Sequence, residues 1–128
     1  MTPSISQRIQ SIEGRIGRIA ALVDEVQGER IVVLDLRGIS DFTDAFVIAT
    51  ARSRTHMAAI LRNVMDEMRR EGLRPLNRPE SESDSRWTLL DYGNVIVHVF
   101  DPEARLYYDL ENLWGDAGHL PWEELAPA

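Results

Sequence analysis

Two strand-like runs, Arg86-Trp87-Thr88-Leu89-Leu90-Asp91-Tyr92 and Val95-Ile96-Val97-His98-Val99-Phe100, flank the dipeptide Gly93-Asn94, and no other stretch constrains the fold as much. Gly and Asn tolerate the positive backbone angles that a two-residue hairpin turn needs. Pairing Tyr92 with Val95 fixes the register. Successive strand side chains alternate, so Trp87 then faces Phe100, Leu89 faces His98 and Asp91 faces Ile96 on one side of the sheet. Thr88, Leu90, Tyr92, Val95, Val97 and Val99 occupy the other side and read as core. The first side mixes large aromatics with a histidine and a carboxylate, a composition also found at protein interfaces.

The remaining elements follow from periodicity. From Ile5, apolar residues recur at Ile9, Ile12, Ile16, Ile19, Val23 and Val26, one stripe of a helix that Gly28 ends. The stripe can dock on the domain's own sheet or pair with a second copy. Ile31 to Leu36 and Phe46 to Ala51 read as buried strands, and the short link Ile39 to Asp44 favours antiparallel pairing, since a parallel crossover needs a dozen residues or more. Ser53 or Thr55 caps a helix with Met57, Ile60, Leu61, Val64 and Met68 on one face and Gly72 as its left-handed stop. Leu73-Arg74-Pro75-Leu76 is expected to lead into an edge strand, where Pro costs no ladder bond. Asn77 to Ser85 reads as a polar, acidic loop. Asp101-Pro102-Glu103 opens a last helix, with Leu106, Tyr107, Leu110, Leu113 and Trp114 as its expected apolar face and Gly115 as its end. Residues 1–116 are thus expected to form one domain, and 117–128, which include Trp122, an extended, partly disordered tail.

At 128 residues the chain suits one compact domain. No apolar run is long enough to cross a bilayer, and the start lacks a basic region followed by an apolar one, so a cytoplasmic location is expected. The absence of cysteine excludes disulfides, thiol catalysis and thiolate metal sites. Net charge is -7 and unevenly spread: residues 1–79 carry +2, with 12 Arg and 10 acidic residues, whereas residues 80–128 carry -9, with 2 Arg and 11 acidic residues. An acidic C-terminal third repels phosphate backbones, so a basic protein is the expected partner and no direct nucleic-acid specificity is expected.

Sequence offers little for catalysis. His56, His98 and His119 lack helical metal-motif spacing, and no P-loop, dinucleotide fingerprint or nucleophile elbow occurs. No metal or cofactor is expected. Asp41 and Asp44, just before a strand, are the best enzymatic candidates, because paired carboxylates can hold magnesium for nucleotidyl transfer. Loop aspartates more often satisfy backbone donors. Ser53-Arg54-Thr55-His56 could hold an anion at a helix start, and ordinary capping explains it equally well.

The stretch Trp87-Thr88-Leu89-Leu90-Asp91-Tyr92-Gly93-Asn94-Val95-Ile96-Val97-His98-Val99-Phe100, followed by Tyr107-Tyr108-Asp109-Leu110-Glu111-Asn112-Leu113-Trp114-Gly115-Asp116, resembles the iojap or ribosomal silencing factor family. Asp35 to Thr50 resembles the family's first signature, and the likeness runs from about Ile16 to Asp116. The resemblance implies an α/β fold: a single mixed sheet flanked by helices, nucleotidyltransferase-like without that activity. It also implies a homodimer, and a non-enzymatic role: binding the large ribosomal subunit through its ribosomal protein fourteen, blocking association with the small subunit and repressing translation when nutrients are scarce. A part in large-subunit biogenesis is implied as well. Three departures stand out. The loop before Trp87 lacks the usual glycines, Asn94 stands where Asp is usual, and the Arg of the Ser53 segment is one place early relative to His56.

On this reading the Trp87 face docks on the basic ribosomal protein and acts by occlusion. Trp87 is the expected anchor, Leu89 and His98 support it, Asp91 pairs with a basic residue of the partner, and Leu76 contributes from the neighbouring edge. The rival readings are a magnesium-dependent nucleotidyltransferase using Asp41 and Asp44, although the close Asp-x-Asp pair is absent, and a scaffold dimerising through the Ile5 to Val26 stripe.

Overall fold

The computed structural model describes residues 11–79 and 86–126. Helix α1 (Ile12–Glu25) begins at Ser11, whose Oγ accepts from the Gly14 amide at 3.0 Å. Strands β1 (Glu29–Asp35) and β2 (Ala45–Thr50) follow, then helix α2 (Arg54–Arg70), the hairpin strands β3 (Trp87–Asp91) and β4 (Val95–Phe100), and the short helices α3 (Pro102–Tyr108) and α4 (Leu110–Leu113). Strand β5 (Gly118–His119) and helix α5 (Trp122–Leu125) complete the order.

Among the described residues these strands form one mixed sheet in the order β3-β4-β2-β1-β5. β1 and β2 are antiparallel, as their short link requires, and β3 and β4 pair in the register the turn dictates: Trp87 with Phe100, Leu89 with His98, Asp91 with Ile96. Gly93 takes a φ of 84° in that turn, while Asn94 does not need a positive one. The parallel pairing of β2 with β4 joins segments that have no local signal for each other.

Two cores sandwich the sheet. On one face Ile16, Ile19, Leu22 and Val23 of α1 and Met57, Ile60, Leu61, Val64 and Met68 of α2 pack on Val33, Val47, Val95, Val97 and Leu90. The α1 stripe is therefore spent on the chain's own sheet over these residues; Ile5 and Ile9 lie outside the described part. Helix α2 ends as its Gly72 requires. With φ at 88° there, the Gly72 amide bonds Arg69 and the Leu73 amide bonds the Met68 carbonyl at 2.8 Å, closing the last turn. The other core contains Leu34, Leu36, Phe46, Ile48, Phe100, Ala104, Leu110 and Ala117.

Three expectations need correction. Leu73 to Leu76 is not a strand. It still covers the β3 edge: the Leu76 amide donates to the Asp91 carbonyl at 2.6 Å, while the Asn77 side chain donates to the Leu89 carbonyl at 3.0 Å and accepts from the Asp91 amide at 2.8 Å. A side-chain amide thus stands in for a strand's backbone, and Pro75 leaves no donor wasted.

The last helix is broken. Asp109 adopts φ 47° and ψ 54°, the left-handed region, so the expected apolar face forms only in part: Leu110 is buried and Trp114 packs beside it, whereas Leu106, Tyr107 and Leu113 are 74%, 82% and 72% exposed. Buried Arg105 secures the break. It donates to the Arg30 carbonyl at 2.7 Å and to Thr50 Oγ1 at 2.9 Å, and its guanidinium faces the Glu111 carboxylate at 3.3 Å.

The segment expected as an extended tail instead supplies an edge strand and a helical turn. Gly118 and His119 pair with Asp35 and Leu34, the Leu120 amide bonds Val33, and Leu120, Trp122 and Leu125 pack against the α1 core. Gly17 makes this possible, since a Cβ there would lie 2.3 Å from the Leu125 carbonyl carbon.

Candidate interaction face

The sheet face opposite α1 and α2 is only partly covered. Along it the register aligns Asp91, Ile96 and Phe46 in one row, Leu89, His98 and Ile48 in the next, and Trp87, Phe100 and Thr50 in a third. Ala104 and Leu110 of the α3–α4 segment pack with Leu34, Leu36, Phe46, Ile48 and Phe100, while Leu89, Asp91 and Ile96 stay half-buried. Aromatic rings stand on both flanks. Trp87 stacks on Phe100 at 5.1 Å and meets Tyr108 at 4.6 Å; at the other flank Trp114 lies edge-on to Phe46 at 5.8 Å and to the exposed Phe42 at 6.1 Å.

His98 lies on the floor. It is 5% exposed, its Nδ1 accepts from Trp87 Nε1 at 3.0 Å, and its ring meets Phe46 edge-on at 4.4 Å. Burial pulls its pKa down to about 4, so the imidazole is neutral at physiological pH. Its Nε2 is buried with no hydrogen-bond partner among the described residues. A histidine so held orients Trp87.

The fold gathers Trp87, Leu89, Asp91 and His98 on this face and puts Leu76, 75% exposed, at the adjoining edge. Asp91 also serves the turn, accepting from the Gly93 amide at 2.8 Å. Asn94 accepts from Arg15 Nη1 through Oδ1 at 2.8 Å, and its carbonyl accepts from the Asp44 and Ala45 amides. A neutral acceptor therefore suffices at this position. Sequence reasoning missed Tyr107, Tyr108 and Phe42. The first was assigned to a buried helix face that forms only in part, and the others carry no periodic signal.

Asp41 is exposed and Asp44 half-buried, and among the described residues no three His, Asp or Glu side chains gather as metal ligands. Ser53 caps α2, its Oγ accepting from the His56 amide at 3.0 Å; His56 in turn accepts from the Arg52 amide through Nδ1 and bonds the Val26 carbonyl through Nε2 at 2.8 Å. That corner is structural.

Comparison with known proteins agrees with the fold. A family described as "Ribosomal silencing factor during starvation" matches residues 9–128. The chain is similar to ribosomal silencing factor RsfS of Bacillus subtilis, 41% identical over 98 residues that span 77% of this chain and 82% of that one. It is also similar to the chloroplastic protein Iojap of Arabidopsis thaliana, 34% identical over 83% of this chain and 44% of that longer one. Among solved structures, a protein from Chromobacterium violaceum superposes with a TM-score of 0.72 at 29% identity, covering 79% of this chain and 84% of that one. One from Bacillus halodurans gives 0.67 at 34% identity, covering 80% and 92%. The hairpin, the mixed sheet and these matches together show that the chain belongs to the ribosomal silencing factor family.

Proposed function

We propose that this chain binds the large ribosomal subunit by docking its open β3–β4 face on a basic ribosomal protein, the fourteenth of the large-subunit series, and blocks joining of the small subunit by occlusion. The observation that carries this reading is the half-open sheet face itself, where Trp87 is held by His98 and flanked by further aromatics. Large apolar surface left open beside rigid aromatic anchors marks a binding face. The acidic C-terminal third, which includes Asp91, Glu103 and Asp109, complements a basic partner. Repression of translation under nutrient limitation, in the cytoplasm, follows from such occlusion, and a role in large-subunit maturation belongs to the same reading.

The test is co-sedimentation with purified large subunits, together with light scattering of subunit joining. Trp87→Ala should weaken binding by about 2 kcal/mol, roughly thirty-fold, and restore joining. Undiminished binding by the folded variant removes Trp87 from the interface. The reading includes a homodimer. Ile16, Ile19, Leu22 and Val23 of α1 are buried in the chain's own core, so these four residues do not form its joint. Mass measured in solution checks it, and a monomer at all concentrations refutes it.

A further inference from the structure

Beside the open face runs a groove of about 660 Å³ lined by Arg86, Trp87, Glu103, Ala104, Tyr107 and Tyr108. Its walls are aromatic. Tyr107 and Tyr108 stand nearly perpendicular, at 87° and 5.1 Å, and Tyr108 meets Trp87 at 4.6 Å. Glu103 stands at its rim. The geometry points to a receptor for one cationic side chain, an Arg guanidinium or Lys ammonium of the partner, held over the ring faces of Tyr107 and Tyr108 and paired with Glu103.

Three observations carry this. Ring faces are electron-rich and attract a cation, and Tyr107 and Tyr108 both line the groove. Tyr107 is 82% exposed although it is a large aromatic on a short helix. Helix α3 buries Ala104 and Arg105, and Tyr107 stands away from that buried side.

The third is charge. Arg86 bonds Asp101 through Nε at 2.9 Å and Glu103 through Nη2. The group therefore carries one net negative charge, with Glu103 82% exposed. A carboxylate accepts several hydrogen bonds, so Glu103 can receive the incoming cation while Arg86 keeps Asp101.

This site rests on the proposed docking of a basic protein, and it is tested apart from the ribosome. The probes are acetyl-arginine amide, acetyl-lysine amide and, as the uncharged match, acetyl-citrulline amide, titrated into the full isotope-labelled chain. The readout is the indole N–H signal of Trp87, identified by its loss in Trp87→Phe. We expect a saturable shift with both cations and none with citrulline. Tyr107→Ala and Glu103→Gln, both at exposed positions, should each weaken binding about threefold or more.

An equal response to citrulline, no shift with the cations, or curves unchanged in both variants would each overturn the site. Because the ribosome is absent, that failure leaves the Trp87→Ala sedimentation result standing on its own. Conversely, a cation-specific shift alongside undiminished subunit binding by Trp87→Ala keeps the site and removes Trp87 from the docking interface.

Discussion

Trp87 donates its indole N–H to His98 Nδ1 at 3.0 Å, and because an indole nitrogen can only donate, the hydrogen of the neutral imidazole must sit on Nε2. One bond thus sets both the rotamer of the half-buried aromatic and the tautomer beneath it. Protonating His98 would put a second hydrogen on Nδ1 and break the contact, while burial already opposes the charge.

That opposition predicts a pH dependence. The folded pKa is about 4 against an ordinary value of 6.5. As pH falls from about 6.5 to 4 the unfolded chain gains a proton that the folded chain refuses, so stability falls across this window and the effect levels off below it. The full loss is on the order of 3 kcal/mol. Urea midpoints measured from pH 7.5 to 4.5 should show it, and His98→Gln, which keeps an acceptor for Trp87, should flatten the slope. An unchanged slope in that variant would place the titration elsewhere.

Gly17 is expected to be intolerant for a reason unrelated to helix propensity. A methyl group there collides with the Leu125 backbone, which cannot rotate away as a side chain would. Ala normally stabilises a helix interior by about 1 kcal/mol over Gly. Here Gly17→Ala should instead cost about 1–3 kcal/mol and loosen α5. Amide exchange at Ala126, whose N–H bonds Trp122, reports the loosening. Slower exchange in the variant would contradict it.

Arg105 and Glu111 should respond unequally. Arg105→Met strips hydrogen bonds from the Arg30 carbonyl and Thr50 and leaves Glu111 without its cation, a loss of about 3–5 kcal/mol for a buried partner. Glu111, a quarter exposed at its side chain, can be rehydrated, so Glu111→Gln should cost nearer 1 kcal/mol. Denaturant melts of the two variants decide. Equal costs would mean that the backbone contacts of Arg105 contribute little.

Asn77→Ala removes two hydrogen bonds that cap the β3 edge and should destabilise by about 1–2 kcal/mol. Its signature is local. The Asp91 amide should exchange faster while amides of β2, buried along its whole length, do not change. Bare strand edges invite pairing, so the variant should also self-associate more readily at high concentration. A uniform rise in exchange would point to global loosening instead.

Local chemistry in the sequence determined the hairpin register through Gly93-Asn94, the five buried residues of α2 and the capped start at Asp101, and it narrowed the α2 cap to Ser53 or Thr55, of which the fold uses Ser53. It also put Trp87, Leu89, Asp91 and His98 on one face, since strand alternation needs no knowledge of the rest of the chain. Other features are tertiary. The parallel β2–β4 pairing, the Asn77 cover of the β3 edge and the seat of Leu125 on Gly17 join residues far apart in the chain. The break at Asp109 is secured by Arg105 reaching Arg30 and Thr50, 75 and 55 residues upstream. Periodicity tells which side of a segment is apolar; it does not tell where a distant carbonyl will hold the chain in a left-handed turn. For that reason the Tyr107–Tyr108 groove appeared only once the chain was folded.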